Sequence, residues 1–185
     1  MRLVLLCLAL VAPLLPRSAE AVNIVITPPN QFVSVGGQFS LTLDASALAG
    51  AAIGGFDVDL GFDATRFAFV SALFGAALGD VGAGDQLTEV VPASGLVSLG
   101  SVSLLDPAEL AALQPGTVSL VTLTFQAIAS GAGAFTFEFV QLADAFGANL
   151  QVVNLTPATV DVVPEPALGG LLALGAVAAG IRRRR

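Results

Sequence analysis

Carboxylates are the only side chains in this sequence whose chemistry could support acid–base catalysis or cation binding. The chain contains no His, Trp or Tyr, all seven of its basic residues are arginines, and its one cysteine is Cys7. A Ser/His/Asp triad, a Ser/Lys dyad and a His-ligated metal site are therefore excluded. Asp57 and Asp59 form the closest carboxylate pair, but an i, i+2 spacing is also what the solvated face of any strand shows. We predict a protein that is not an enzyme. A carboxylate-based glycosidase is the weaker alternative, because it would also need aromatic platforms and a cleft.

A short acidic loop, Gly79 to Asp85, is the one stretch that could hold a cation. Ca²⁺ selects oxygen ligands, which Asp80 and Asp85 would supply. The spacing fits no EF-hand, and Gly and Asp also favour turns for reasons unrelated to metal binding. The sequence therefore predicts no cofactor, with Asp80 and Asp85 as the candidate ligands if Ca²⁺ were bound.

The charge of the central region excludes one class of partner. Residues 22–163 contain twelve acidic residues and a single base, Arg66, which gives this region a formal charge of −11. Nucleic-acid binding needs clustered Lys and Arg to neutralise phosphates, and the region has no such cluster. We therefore expect no nucleic-acid partner.

The first 21 residues have the organisation of an export signal. Arg2 gives a short positive region, an apolar run follows, and Ala19 and Ala21 have the small side chains that signal peptidase requires. We predict that residues 1–21 are a signal peptide cleaved after Ala21. The mature chain would then contain no cysteine and could form no disulfide. Lipidation at Cys7 is a weaker alternative, because a leucine rather than a small residue precedes it.

The last 22 residues form a second targeting pattern. A Pro-Glu-Pro motif precedes an apolar run, residues 167–181, and four arginines end the chain: Pro164, Glu165, Pro166, then Arg182, Arg183, Arg184 and Arg185. As a helix, the fifteen apolar positions would span about 22 Å, less than the hydrocarbon core of about 30 Å. The arginines would stay in the cytoplasm under the positive-inside rule, which places everything upstream of the motif outside the membrane. A short permanent anchor is one interpretation.

Together, Val163-Pro164-Glu165-Pro166, the Gly/Ala/Leu-rich run and the terminal arginines resemble the PEP-CTERM sorting signal of Gram-negative bacteria. This resemblance implies recognition by exosortase, a membrane cysteine transpeptidase that removes the helix and releases or transfers the protein to the cell exterior. It also implies a precursor anchored in the inner membrane and a final location at the cell surface or in the extracellular space. Residues 164–185 would then be a transient anchor.

The central region, residues 22–163, has the period-two alternation of half-buried strands. In residues 39–44, Phe and two Leu alternate with Ser, Thr and Asp, and in residues 135–139 three Phe alternate with Thr and Glu. We predict that the phenylalanines face the core. The pattern predicts about nine strands: residues 23–27, 39–44, 56–63, 66–72, 86–91, 95–104, 121–127, 135–139 and 159–163.

Two local features complete the predicted fold. Asp106 as N-cap, Pro107 at the first position and Glu109 at the third predict a short helix through Leu113. The apolar phase shifts across Gly100-Ser101, which predicts a β-bulge. We predict an all-β, antiparallel jelly-roll sandwich with one short helix, between the signal peptide and a C-terminal transmembrane helix.

Segments of the central region resemble the cohesin domain family: Val35 to Phe39, Gly55 to Asp63 followed by Arg66-Phe67, Leu120 to Phe125, and Leu142 to Gly147. The resemblance covers most of residues 30–162. It implies a nine-stranded jelly-roll sandwich, which in cellulosomes binds calcium-loaded dockerin modules. Two positions depart from the family pattern, because Ala64 stands where the family has proline and Phe62 stands where it has tyrosine.

The predicted function is that of an exported, non-enzymatic component of the cell surface or extracellular matrix. Signal peptidase and exosortase would process it, and the cohesin-like domain would contact another extracellular protein or an exopolysaccharide. A carbohydrate-binding module shares the sandwich architecture and is the alternative. Sugar stacking usually uses exposed Trp or Tyr, and the chain has neither.

Overall fold

The computed structural model describes residues 21–46, 48, 51–114 and 116–164. These residues form eleven strands, one α-helix and one 3₁₀ turn. The strands are β1 (Ala21–Thr27), β2 (Asn30–Ser34), β3 (Gln38–Ser46), β4 (Ile53–Phe62), β5 (Phe67–Phe74), β6 (Gln86–Ala93), β7 (Leu96–Ser103), β8 (Val118–Ala127), β9 (Gly131–Asp144), β10 (Asn149–Thr156) and β11 (Ala158–Val163). Helix α1 is Pro107–Leu113, and the 3₁₀ turn is Ala76–Leu78.

The strands form two sheets that enclose one core and are joined by β10, so the sandwich is close to a barrel. One sheet has the order β5-β8-β3-β1-β10, and the other has the order β6-β7-β4-β9-β11-β2. Strand β10 begins as the antiparallel partner of β9 at Asn149 and Leu150. It also runs parallel to β1. The strands therefore run between two ends of the domain, with the loops gathered at those ends.

A cluster of phenylalanines lies at the centre of the core, where inward-facing residues of both sheets meet. Contacting rings in the cluster have centroids 4.8 to 5.9 Å apart, a range in which aromatic pairs are favourable. Its members are Phe39, Phe67, Phe125 and Phe135. Burying each ring stabilises the fold by about 1.5–3 kcal/mol. The four rings come from β3, β5, β8 and β9, so they connect the two sheets.

The nine predicted strands and the predicted helix are all present, with strand ends that differ from the prediction by up to five residues. The sequence does not predict β2 or β10, whose residues are mostly half-buried or exposed and lack a regular apolar face. Both form parallel pairs, β2 with β11 and β10 with β1. The sandwich is therefore mostly antiparallel, with two parallel pairs that strand periodicity alone does not reveal.

The β-bulge predicted at Gly100 and Ser101 is wrong. Strand β7 pairs with β4 and with β6 without a register shift through these residues. The apolar phase changes because Ser101 is buried in an inward position and Val102 is exposed. The Ser101 hydroxyl lies 2.7 Å from the side-chain amide of the buried Gln86. A hydrogen-bonded polar pair thus occupies a core position that the hydropathy pattern would assign to an apolar residue.

Gln114, which follows α1, fastens the loops at one end of the sandwich. Its Oε1 accepts a hydrogen bond from the Ile53 backbone N–H at 2.7 Å. Its Nε2 donates to the carbonyls of Ile53 at 2.8 Å and Ala77 at 2.9 Å. The buried amide therefore satisfies backbone groups that would otherwise have no strand partner.

Among the residues that the structure describes, no helix is both long enough and apolar enough to cross a bilayer. The predicted transmembrane run, residues 167–181, lies outside them.

Candidate interaction surface

Charged and large apolar side chains meet on the outer face of β6, β7, β4 and β9, which we call the acidic face. Inward positions of β4 are occupied by Phe56, Val58 and Leu60, so the residues between them point outward. Cross-strand pairing sets the outward residues in three rows, in the order β6, β7, β4, β9: Leu87, Val102, Gly55, Ala143; Glu89, Gly100, Asp57, Gln141; and Val91, Ser98, Asp59, Phe139.

The middle of the acidic face is a shallow groove of about 770 Å³. Gly100 lies in its central row, between Glu89 and Asp57. A Cβ built on Gly100 would have a single heavy atom within 4 Å, the Glu89 Cβ at 3.8 Å. The space above Gly100 is therefore open, and a side chain of a partner could enter it.

The carboxylates of Asp57, Asp59 and Glu89 have no hydrogen-bond or ion-pair partner among the described residues. Same-face neighbours on one strand lie about 6.6 Å apart, and two strand spacings separate groups by about 10 Å. The first distance applies to the two aspartates, and the second to Glu89 and Asp57. Like charges at these separations repel one another weakly through water, so a cationic group supplied by a partner would be attracted to the face.

Large apolar side chains surround these carboxylates. Leu87, Val91, Val102 and Phe139 have between 43% and 60% of their surface exposed. Interface centres in proteins combine apolar and aromatic contact with a few polar groups that fix orientation. The acidic face has this composition.

The sequence pattern predicts Phe139 in the core, and that prediction is wrong. The pairing of β9 with β4 shifts register between Asp59 and Leu60, so that Phe137 and Phe139 pair with consecutive residues of β4. The extra residue, Glu138, moves Phe139 to the outer face. The Glu138 carboxylate accepts a hydrogen bond from the Thr136 hydroxyl at 2.8 Å. Phe32 and Phe146 are also exposed, at 75% and 79%, so the prediction that phenylalanines face inward fails for three of the twelve.

Asp57 and Asp59 share the outer side of β4, as their spacing indicates. The buried Val58 separates them along the strand. Acid–base catalysis needs each carboxylate within hydrogen-bond reach of a held substrate. A shallow groove on a sheet surface favours contact with a broad partner over enclosure of a small substrate.

The outer face of the other sheet, which we call the Ser/Thr face, satisfies its own polar groups. The Ser40 and Thr124 hydroxyls lie 3.3 Å apart across β3 and β8, and those of Thr42 and Thr122 lie 3.1 Å apart. The Asp44 carboxylate accepts one hydrogen bond from the Thr27 hydroxyl and one from the Ser119 hydroxyl, both at 2.6 Å. These cross-strand bonds leave few polar groups free for a partner.

Asp63 and Arg66 close the turn between β4 and β5, where the sequence departs from the cohesin pattern at Ala64. Asp63 accepts hydrogen bonds from the Thr65 hydroxyl at 2.6 Å, from the Thr65 backbone N–H at 2.9 Å and from Arg66 Nε at 2.9 Å. The two bonds from Thr65, followed by the smaller effect of Arg66, lower the pKa of Asp63. Arg66 also donates to the Ser130 carbonyl at 2.7 Å, which ties this turn to the loop before β9. This pair is structural and lies outside the acidic face.

The calcium candidates Asp80 and Asp85 bond their own loop. Asp80 Oδ1 accepts from the Gly82 backbone N–H at 2.7 Å, and Asp85 Oδ2 accepts from the Asp80 backbone N–H at 3.4 Å. No group of three potential metal-binding side chains occurs in the described part of the chain. The contacts favour the interpretation of this loop as an Asx-stabilised turn.

The predicted targeting residues lie at or beyond the limits of the described chain. Ala21 is the first residue of β1, and Pro164 follows the last residue of β11. The others lie outside the described residues: Ala19, Glu165, Pro166 and Arg182, Arg183, Arg184 and Arg185. Signal-peptide cleavage and exosortase sorting therefore stay predictions.

Sequence reasoning singles out Asp57 and Asp59 but misses the β6 and β7 residues of the acidic face. The signal is present, because Leu87, Glu89 and Val91 alternate with Thr88 and Val90. Both sets contain apolar residues, so periodicity does not decide which set faces outward. Pairing with β7 decides it.

Comparison with solved structures identifies the fold. The chain is similar to the OlpA cohesin in a type I cohesin–dockerin complex from Clostridium thermocellum, with a TM-score of 0.64, 14% identity, and coverage of 77% of this chain and 99% of that one. It is similar to a cohesin module of a family 33 glycoside hydrolase from Clostridium perfringens, with a TM-score of 0.61, 15% identity, and 78% and 98% coverage. It is also similar to a non-cellulosomal cohesin from the archaeon Archaeoglobus fulgidus, with a TM-score of 0.57, 14% identity, and 77% and 91% coverage.

The described domain therefore has a cohesin-like fold. No protein-family profile matches the sequence, and no curated protein sequence matches it.

Proposed function

We propose that this protein is a non-enzymatic, exported interaction module that binds a protein partner through the acidic face. The observation that carries this proposal is the combination of three unpaired carboxylates with exposed Leu87, Val91, Val102 and Phe139 on one sheet surface. Exposed apolar area of this kind marks a binding surface when it is contiguous and surrounded by polar groups.

The charge of the surface defines the partner. Asp57, Asp59 and Glu89 have no cation nearby, since the single base among the described residues, Arg66, is bonded to Asp63. A partner that supplies Lys or Arg to this row and apolar side chains to the flanking rows would complement both features. One of the similar structures is a cohesin in complex with a dockerin, which supports a protein partner in general and does not require a dockerin here.

Delivery to the cell exterior is part of the proposal. The N-terminal pattern ending at Ala21 supports cleavage by signal peptidase, and the Pro-Glu-Pro motif with its arginine cluster supports sorting by exosortase in a Gram-negative bacterium. The partner would then be another component of the cell surface or extracellular matrix.

Exopolysaccharide binding is the second candidate. The exposed ring of Phe139 beside Asp59 favours it, because sugar rings stack on aromatic side chains next to polar groups. Only this one aromatic side chain belongs to the three rows of the acidic face, so we rank a protein partner first.

Site-specific photocrosslinking in a bacterium that exports the protein tests the proposal. A crosslinking residue replaces Leu87 on the acidic face or, as the matched control, Leu73, which is 74% exposed at the edge of the Ser/Thr face. We expect a protein adduct from position 87, no adduct from position 73, and loss of the adduct when Asp57→Asn, Asp59→Asn and Glu89→Gln are combined. Equal adducts from both positions would refute the proposal. A polysaccharide adduct from position 87 would establish the second candidate instead.

A further inference from the structure

The two ends of the sandwich carry very different charge. We call the end where the chain leaves β11 the C-terminal pole; its loops are residues 35–37, 63–66, 94–95, 128–130 and 163–164. Backbone hydrogen bonds hold these loops together: Val35 N–H to the Val163 carbonyl at 3.1 Å, Ile128 N–H to the Arg66 carbonyl at 2.7 Å, and Phe62 N–H to the Gly95 carbonyl at 2.9 Å.

The C-terminal pole is electrically neutral. Its one carboxylate, Asp63, is paired with Arg66 at 2.9 Å. The opposite pole has five carboxylates and no base among its described residues: Asp80, Asp85, Asp106, Glu109 and Asp144. Both poles expose apolar side chains, for example Ile128 at 46% and Val81 at 48%. Charge, rather than apolar exposure, therefore distinguishes them.

The chain connects the neutral pole closely to the predicted membrane anchor. Glu165 and Pro166 are the only residues between Pro164 and Ala167, where the apolar run begins. Even fully extended, this connection spans about 10 Å. The polar headgroup layer on one side of a bilayer is about 5–8 Å thick. An anchored chain therefore places the C-terminal pole at the lipid headgroups.

We propose that, in the anchored precursor, the C-terminal pole rests on the phospholipid surface, with Ile128 and Val163 at the headgroup level. The inference rests on the anchoring part of the proposed function. An anionic bilayer repels the acidic pole and tolerates the neutral one, although Asp161 in β11 and Glu165 in the connection stay near the surface. The strands run from pole to pole, so the acidic face would stand upright on the membrane and stay open to a partner.

Tryptophan fluorescence of the full-length chain in vesicles tests this orientation, because the sequence has no tryptophan of its own. Single reporters replace Ile128 or Val163 at the C-terminal pole and, as a matched control, Val81 at the acidic pole. The vesicles contain phosphatidylethanolamine, phosphatidylglycerol and a lipid brominated close to its carbonyl groups. We expect quenching and a blue shift for Ile128→Trp and Val163→Trp, and neither change for Val81→Trp.

Vesicle flotation separates the two ways in which the expectation could fail. If the chain floats with the vesicles and the pole reporters are not quenched, or all three are quenched equally, the orientation is wrong and the anchoring stands. If the chain does not float, the anchoring is wrong and the orientation falls with it. Thermal unfolding of each variant in detergent confirms that the reporter leaves the domain folded.

Discussion

The two outer faces of the sandwich are built from the same kind of strand but treat their polar groups in opposite ways. On the Ser/Thr face, Asp44 and the neighbouring hydroxyls bond one another across strands. On the acidic face, Asp57 and Glu89 have no partner among the described residues, and Leu87 is exposed beside them. Unpaired charge and exposed apolar area add little to folding stability. The difference indicates that the first face serves the fold and the second serves binding.

The largest effect should come from the core that the two faces share. Phe125 contacts the rings of Phe39 and Phe135, which belong to different sheets. We expect Phe125→Ala to lower the free energy of unfolding by about 3–5 kcal/mol and so to disrupt both faces together. Urea unfolding of the purified protein measures this. A loss below about 1 kcal/mol would contradict the view that this cluster joins the two sheets.

A matched pair of aspartates tests the difference between the faces directly. Asp44→Ala removes an acceptor of two hydrogen bonds, so we expect a loss of about 1–2 kcal/mol of unfolding free energy. Asp57→Ala removes a carboxylate without a described partner, so we expect a change within about 0.5 kcal/mol. Urea unfolding of both variants under one set of conditions is the measurement. Equal losses would remove the distinction between a structural face and a binding face.

Asp63 provides a pH-dependent case in a turn that belongs to neither face. Its pKa is lowered from 3.8 mainly by hydrogen bonds from Thr65, with a smaller contribution from Arg66. Because the folded-state pKa lies below the unfolded one, the carboxylate stabilises the fold above pH 3.8. This stabilisation is lost as the pH falls through the lowered pKa.

We therefore expect Asp63→Asn to be less stable than the unmodified protein at neutral pH. The difference between the two should shrink as the pH falls below 3.8. Urea unfolding of both proteins across this pH range measures it. A stability difference that does not change with pH would show that the charge of Asp63 is not what stabilises the turn.

The smallest effect on folding should come from the charge of the acidic face. Asp57→Asn combined with Asp59→Asn removes a like-charge repulsion, so we expect the free energy of unfolding to stay the same or rise by up to about 0.5 kcal/mol. Partner capture by the photocrosslinker at position 87 should fall at the same time. Substantial destabilisation would mean that these carboxylates serve the fold.

The sequence predicts the parts of this fold that depend on local pattern. The nine strands and the helix from Pro107 to Leu113 follow from alternation and capping residues. Alternation places Phe139 wrongly because the register shift at Glu138 depends on the pairing of β9 with β4. It also fails at Ser101, whose burial depends on Gln86, fifteen residues away in the chain. Position on the acidic face likewise depends on pairing between strands, which one-dimensional periodicity does not contain.

Hydroxyl-radical footprinting of the exported protein tests the central claim most directly, because it detects a contact surface whatever the partner is. Side-chain oxidation is compared between the protein in its native extracellular material and the same protein after purification. If the acidic face is the contact surface, Leu87 and Phe139 will be protected in the native material, and Leu73 at the edge of the Ser/Thr face will react equally in both. Protection of Leu73 with full reactivity of Leu87 and Phe139 would contradict the account.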